Sequence, residues 1–447
     1  MCYLLLLAAG AALDNSSASA FGQSILTKMS WRLLPLIGLG YCVAYIDRVN
    51  ISFAAFQMNR DLHFSAAVYG LGGGLFFLSY ALFEVPSNLL LVRFGARRWI
   101  ARIMLTWGVV AAGMMFVRTP AQFYVMRFLL GLAEAGFFPG VIFYLTQWFP
   151  ADYRGRAISR FYIAWPLSSV VMGAVAGLLL NLQGRLGLAG WQWLFLLEGL
   201  PALLMGVVIF YALPDRPRDA PWLSAAEKDW LETRLAADAA ALGMREGHHA
   251  WRVLQNPLVL QLAAVQFLVL GSFYAFNLSA PLLLDGVTHL GAAKVGYLVA
   301  GAGLLAAGAM IFNGWHSDLS HERYWHICVP LALMACAYGA MSVTTSPALF
   351  AAAYAVATMG NMAVAAVVWL VPGDIIHPRE MAVSVAAINA IGQTGSFVSP
   401  YVWGIARDHT GSFHAGLTVL PLPFLLAAMI VLTVRHTAMA GRRKTVT

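Results

Sequence analysis

Four ionisable residues lie inside apolar runs of this sequence, and their types point to two kinds of chemistry. Asp47 and Arg48 adjoin in AYIDRVNISFA, within a run from Trp31 to Gln57 that carries no other charge after Arg32. Arg127 and Glu134 lie seven residues apart in RFLLGLAEAGFFPG. A guanidinium presents a planar fork of donors that fits a carboxylate through two parallel bonds. Carboxyls beside such groups in a dry site can hold and release protons. With both acids ionised the four charges cancel. With both protonated, the two arginines are left to attract an anion.

These runs are long enough to cross a bilayer, which needs about 20 apolar residues. A charged side chain at the bilayer centre costs about 2.5–3.5 kcal/mol. Four would cost roughly 10–14 kcal/mol, comparable to the stability of a whole domain. They must face one another or a wet cavity. Neighbours on a helix point about 100° apart, so Asp47 and Arg48 cannot pair with each other and each needs a partner elsewhere. Arg127 and Glu134 share one helix face, about 10 Å apart along it. By helical rise, both arginines fall in the outer half of the membrane and Glu134 near its midplane.

The elements that position them follow from composition. Of 447 residues, 60% are hydrophobic and 11% charged, against about 25% charged in an ordinary soluble protein. Twelve apolar spans are expected, at 31–57, 68–91, 98–117, 121–145, 157–183, 191–213, 257–284, 294–316, 326–345, 348–371, 381–405 and 414–435. The fold class predicted is an all-α polytopic membrane protein of twelve helices in two pseudo-symmetric halves. The net charge of +8 is an orientation signal rather than a nucleic-acid footprint. Arg60, Arg118, Arg185, Lys294 and Arg407 fall outside and Arg48 and Arg127 within spans, so 21 of the 28 Lys and Arg fall on the cytoplasmic side. Both termini are therefore expected in the cytoplasm.

The expected organisation is a disordered tail at 1–27, a six-helix half at 28–213, a cytoplasmic linker at 214–256, a second half at 257–435 and a tail at 436–447. The stretch YLLLLAAGAALDNSSASA is similar to a weak signal peptide but has no positive charge before it. Cleavage there would oppose the charge count, so residues 1–25 are read as disordered or as the product of an upstream start. Within the linker, Ser224 and Glu227 form an S-x-x-E box opening a polar helix to about Leu242. An internal repeat supports two halves: NLLLVRFGARR answers GWHSDLSHER, and PADYRGRAIS answers HPREMAVS, at an offset of about 225 residues. The repeat places Phe273 against Asp47 and Gly360 against Glu134, so the charged set belongs to the first half alone. That asymmetry favours a functional role over a helix 1–helix 4 clamp.

Other chemistry is weakly represented. The four cysteines have no metal or disulfide spacing, and no phosphate loop or HExxH pattern occurs. No cofactor is expected beyond protons as the coupling ion, and no enzymatic activity. All eleven histidines fall in loops or near span ends, which argues against a histidine relay. A receptor would need a signalling domain, for which the linker and the tail AGRRKTVT leave no room.

The GARR turn after helix 2, YIDRVNISFA in helix 1, RFLLGLAEAGFFPG in helix 4, GWQWLFLLEGLPA and LPDRP together resemble the major facilitator superfamily. More narrowly they resemble its anion:cation symporters, in the tartrate and phthalate permease branch. The likeness covers roughly residues 28–435. It implies proton symport of a small carboxylate across the inner membrane by alternating access, with Asp47 and Glu134 matching the family's proton-coupling acids. Arg48 and Arg127 match its substrate arginines, and Tyr80, Asn389 and Gln393 match substrate contacts. Trp165 and Phe273 are candidate cavity linings. Glu84 and Glu198 are read as structural, and Arg93, Arg97 and Arg98 as anchors with a gate role as runner-up. Val92 stands where the superfamily usually has an aspartate, whereas the second copy keeps Asp318. The expected partners are the carboxylate substrate and the lipid bilayer, with no nucleic acid and a monomeric state. An exchanger or exporter is the alternative, although the antiporter glycine–proline signature is absent from AWPLSSVVMGAVAG.

Overall fold

The computed structural model describes residues 20–242, 255–376 and 381–444, and among these no strand occurs. The first six membrane helices are α1 Ala20–Asp61, α2 Ala66–Phe94, α3 Ala96–Gly113, α4 Pro120–Trp148, α5 Ala151–Leu180 and α6 Gly190–Ala212. The second six are α7 Pro257–Asn277, α8 Gly291–Ser320, α9 Trp325–Val343, α10 Pro347–Val368, α11 Met381–Thr410 and α12 Pro421–Lys444. Among the described residues, eleven stretches are long and apolar enough to cross a membrane. The twelfth helix, α11, has the length to cross as well, at 30 residues.

Local sequence explains where the helices begin. Thr119, Asn256 and Ser346 each cap a helix with their side chains, and each is followed by a proline in the first turn, where the missing N–H costs nothing. The predicted capping box is present: Ser224 N donates to Glu227 Oε2 at 2.7 Å, and Glu227 N to Ser224 Oγ at 3.3 Å. The helix it opens runs Ala225–Leu242. Lys28 Nζ reaches Glu227 at 2.9 Å, and Asp238 accepts from Ala151 N at 2.7 Å. The linker helix is thus docked on α1 and α5. Residues 243–254 of the linker and 1–19 of the tail lie outside the described residues.

Two expectations need correction. Residues 20–27, assigned to a disordered tail, are the first turns of α1, with Ile25 and Leu26 buried. Helix 4 is not continuous either. It breaks after Glu134, where Gly136 adopts φ 85°. A side chain there would be strained, and Pro139 cannot donate back across the break.

The halves meet along two seams, α2 with α11 and α5 with α8. Without a hydrophobic force between helices in lipid, small residues bring backbones together. A Cβ on Gly173 would lie 2.4 Å from Gly296 O, and one on Gly74 2.3 Å from Phe397 O. Gly70 meets Pro400 and Gly177 meets Ala293. These approaches lie toward the end of the bundle opposite the linker. There Asp408 of α11 also accepts from Ala66 N and Ala67 N at 3.0 and 2.8 Å, capping α2 from the other half. At the linker end, Arg97 N donates to Asp215 Oδ1 at 2.8 Å. A carboxylate from LPDRP therefore serves the helix 2–3 turn, where Val92 is itself 64% exposed.

Candidate functional site

Helix α1 turns Asp47 and Arg48 in different directions, as their spacing requires. Arg48 donates to Glu134 Oε1 twice, from Nε at 2.8 Å and from Nη2 at 2.5 Å. Its guanidinium lies 4.9 Å from the Tyr80 ring centre, 5.0 Å from Tyr45 and 5.5 Å from Phe76. These are cation–π distances that stabilise a partly dehydrated cation. Asp47 faces the other way, and its Oδ1 accepts from Asn50 Nδ2 at 3.2 Å.

Arg127 sits behind Arg48. Its Nε donates to Gly72 O at 3.3 Å, and its guanidinium lies 4.9 Å from the same Phe76 ring. Phe76 thus contacts both guanidinium groups, and its electron-rich faces temper their mutual repulsion. Asp47, Arg127 and Glu134 are 2%, 1% and 0% exposed. Asp47 Oδ2, Glu134 Oε2 and Arg127 Nη1 are buried without hydrogen-bond partners. Unpartnered polar atoms are costly in such a place and rare without a functional reason. A third buried acid flanks the group: Glu198 of α6 lies against Asn50 and Asp47.

A narrow cleft opens beside this cluster, between the halves, lined by Arg48, Tyr45, Trp165, Phe273, Tyr274 and Asn277 among others. Of the four charged candidates Arg48 lines it. Arg127, expected as a second direct clamp, is set back from the cleft by Arg48 and Phe76. Tyr80 packs on Arg48 and is buried. Asn389 is engaged across the seam by Glu84, and Gln393 Oε1, one turn along α11, is buried without a partner. Trp165 and Phe273 both line the cleft.

Sequence reasoning missed Tyr45, Phe76, Tyr274 and Asn50. Helical spacing held the signal for two of them: Tyr45 and Asn50 stand three residues from Arg48 and Asp47, on the same faces. Phe76 and Tyr274 are single aromatics among many in apolar runs, and nothing in the sequence singles them out. Glu84 was read as structural, and its partner lies 305 residues away.

A bundle of twelve helices in two halves, with a charged cluster at a cleft between them, is a membrane transporter rather than an enzyme. The family model for the Major Facilitator Superfamily matches residues 37–400, and the chain belongs to that superfamily. It is 41% identical over 408 residues to an Agrobacterium vitis protein provisionally named tartrate transporter, covering 91% of this chain and 90% of that one. It is 37% identical over 427 residues to a quinolone resistance transporter of Acinetobacter baumannii, covering 96% of this chain and 98% of that one. Among solved structures, a bacterial homologue of the human lysosomal transporter Spinster, in an inward-facing and occupied conformation, shares the fold. The TM-score is 0.70 at 16% identity, covering 92% of this chain and 96% of the other.

Proposed function

We propose that the protein imports a small organic anion together with protons by alternating access, from the inner membrane, with both termini in the cytoplasm. The observation that carries this reading is the arrangement at Arg48. A guanidinium lining the cleft is held by a buried acid, Glu134, whose second oxygen has no partner. Protonating Glu134 loosens its hold on Arg48 and frees the fork for a carboxylate. Asp47 is the second proton site, and Arg127 supplies the positive charge that keeps both acids responsive. Arg127 contacts substrate directly once the halves rearrange. Tyr80, Asn389 and Gln393 complete the substrate site, while the aromatics of the cleft suit a hydroxy-dicarboxylate, a sugar acid or an aromatic carboxylate. The carrier acts as a monomer in the bilayer.

The relative named tartrate transporter supports this substrate class. Proteoliposomes given an inward pH gradient should accumulate at least one acid from a panel of tartrate, galactonate, phthalate and nicotinate, with alkalinisation outside. No uptake of any, with export of quinolones instead, favours the second reading, an exporter, to which the name of the Acinetobacter relative points. Orientation has its own test. A cysteine placed in the 214–256 linker should react with impermeant reagents only from the cytoplasmic side. Labelling from outside intact cells overturns the assignment of both termini.

A further inference from the structure

Glu84 stands apart from the four charges, yet it meets Asn389. It lies one helical turn from Tyr80 on the same face of α2, close enough to Arg48 for their charges to interact. Asn389 Nδ2 donates to both of its oxygens, at 3.2 Å to Oε1 and 3.1 Å to Oε2. The contact crosses from one half to the other. Along the α2–α11 seam it lies nearer the linker end than the Gly70–Pro400 and Gly74–Phe397 approaches.

An ionised carboxylate is an acceptor-only group with two oxygens. Glu84 therefore gives Asn389 the same partner that an organic anion would. It also changes the charge balance, since with Asp47, Glu134 and the flanking Glu198 it makes four acids beside two arginines. With all of them ionised, an entering anion meets a net negative site, and a dianion is opposed more than a monoanion.

We propose that Glu84 is a resident competitor for the transported anion: its carboxylate occupies Asn389 and has to yield that amide before a substrate carboxylate can take it. The inference rests on the organic-anion reading above. It makes Glu84 a determinant of affinity and of substrate charge, and it ties substrate binding to the release of a contact between the halves.

Glu84→Gln keeps the length of the side chain and an acceptor for Asn389, so the seam is preserved while the charge is lost. Binding is read by thermal-shift titration of purified protein with two pairs of probes, tartrate with glycerate and phthalate with benzoate. Glu84→Gln should bind the dicarboxylate of the transported class about tenfold more tightly, with a smaller gain for its monocarboxylate. Glu84→Ala, which lacks the acceptor as well, should show the same ranking and serves if the glutamine variant fails to insert. Unchanged or weaker dicarboxylate binding, or equal gains for both members of a pair, overturns the proposal, because a purely structural Glu84 predicts those results. If the wild type binds none of the four acids, the organic-anion reading falls and this inference with it. If the wild type binds and the variants do not gain, the inference alone falls.

Discussion

Arg127→Lys is expected to lower kcat/KM for uptake by about 10- to 100-fold, the loss of one or more bonds to a charged group, while the protein still inserts. Arg127 is 1% exposed and its guanidinium is held at two points, with a third left open. Nε bonds Gly72 O, one face lies on Phe76, and Nη1 is left without a partner. Lysine keeps the charge but offers a compact ammonium on a flexible stem, with no fork and a poorer fit to the ring. It can bond Gly72 O or approach the acids, but it cannot hold the planar arrangement between them. Initial rates in proteoliposomes, with membrane content measured in parallel, check this. Wild-type rates would remove Arg127 from the mechanism. A variant absent from the membrane would instead assign it to folding.

The physics of individual residues decided what the sequence could disclose. Twelve helices, two halves and the linker helix were legible because each rests on local rules: span length, a repeat, and the Ser224–Glu227 box. That Asp47, Arg48 and Glu134 belong together was also legible, since a charge in a bilayer must be partnered and few candidates existed. Which atoms pair was not. Arg48 commits both donors to one oxygen of Glu134, and Arg127 is withdrawn behind Phe76, because of packing between α1, α2 and α4 that no single helix encodes. The break after Glu134 had a local signal in AEAGFFPG, a glycine and a proline three residues apart, but similar pairs occur in unbroken membrane helices. Glu84, read as structural, kept its partner hidden for a different reason. The sequence of one helix cannot show what a carboxylate on it meets, and only the approach of α11 gives Glu84 its partner.

Glu134→Gln should retain exchange of substrate across the membrane while losing accumulation driven by a pH gradient. Glutamine presents a carbonyl oxygen where Arg48 now finds Glu134 Oε1, so both donors keep an acceptor. Its amide nitrogen takes the place of Oε2, the atom without a partner, and so mimics the protonated acid. Removing the side chain altogether is a poorer probe, because breaking a buried pair and leaving one charge uncompensated costs about 3–5 kcal/mol. With glutamine the site is locked in its proton-loaded form. It can bind an anion, carry it through the cleft and exchange it for another from the opposite side. It cannot release a proton for the empty return, so an imposed gradient has nothing to drive. Counterflow in proteoliposomes should therefore persist within a few-fold of wild type, while the internal-to-external ratio of substrate does not rise above unity. Asp47→Asn should behave similarly or fail altogether, since Asp47 is also tied to Asn50. If Glu134→Gln concentrates substrate as well as the wild type does, Glu134 serves only to hold Arg48. The proton would then have to ride on Asp47, whose Oδ2 is likewise buried without a partner.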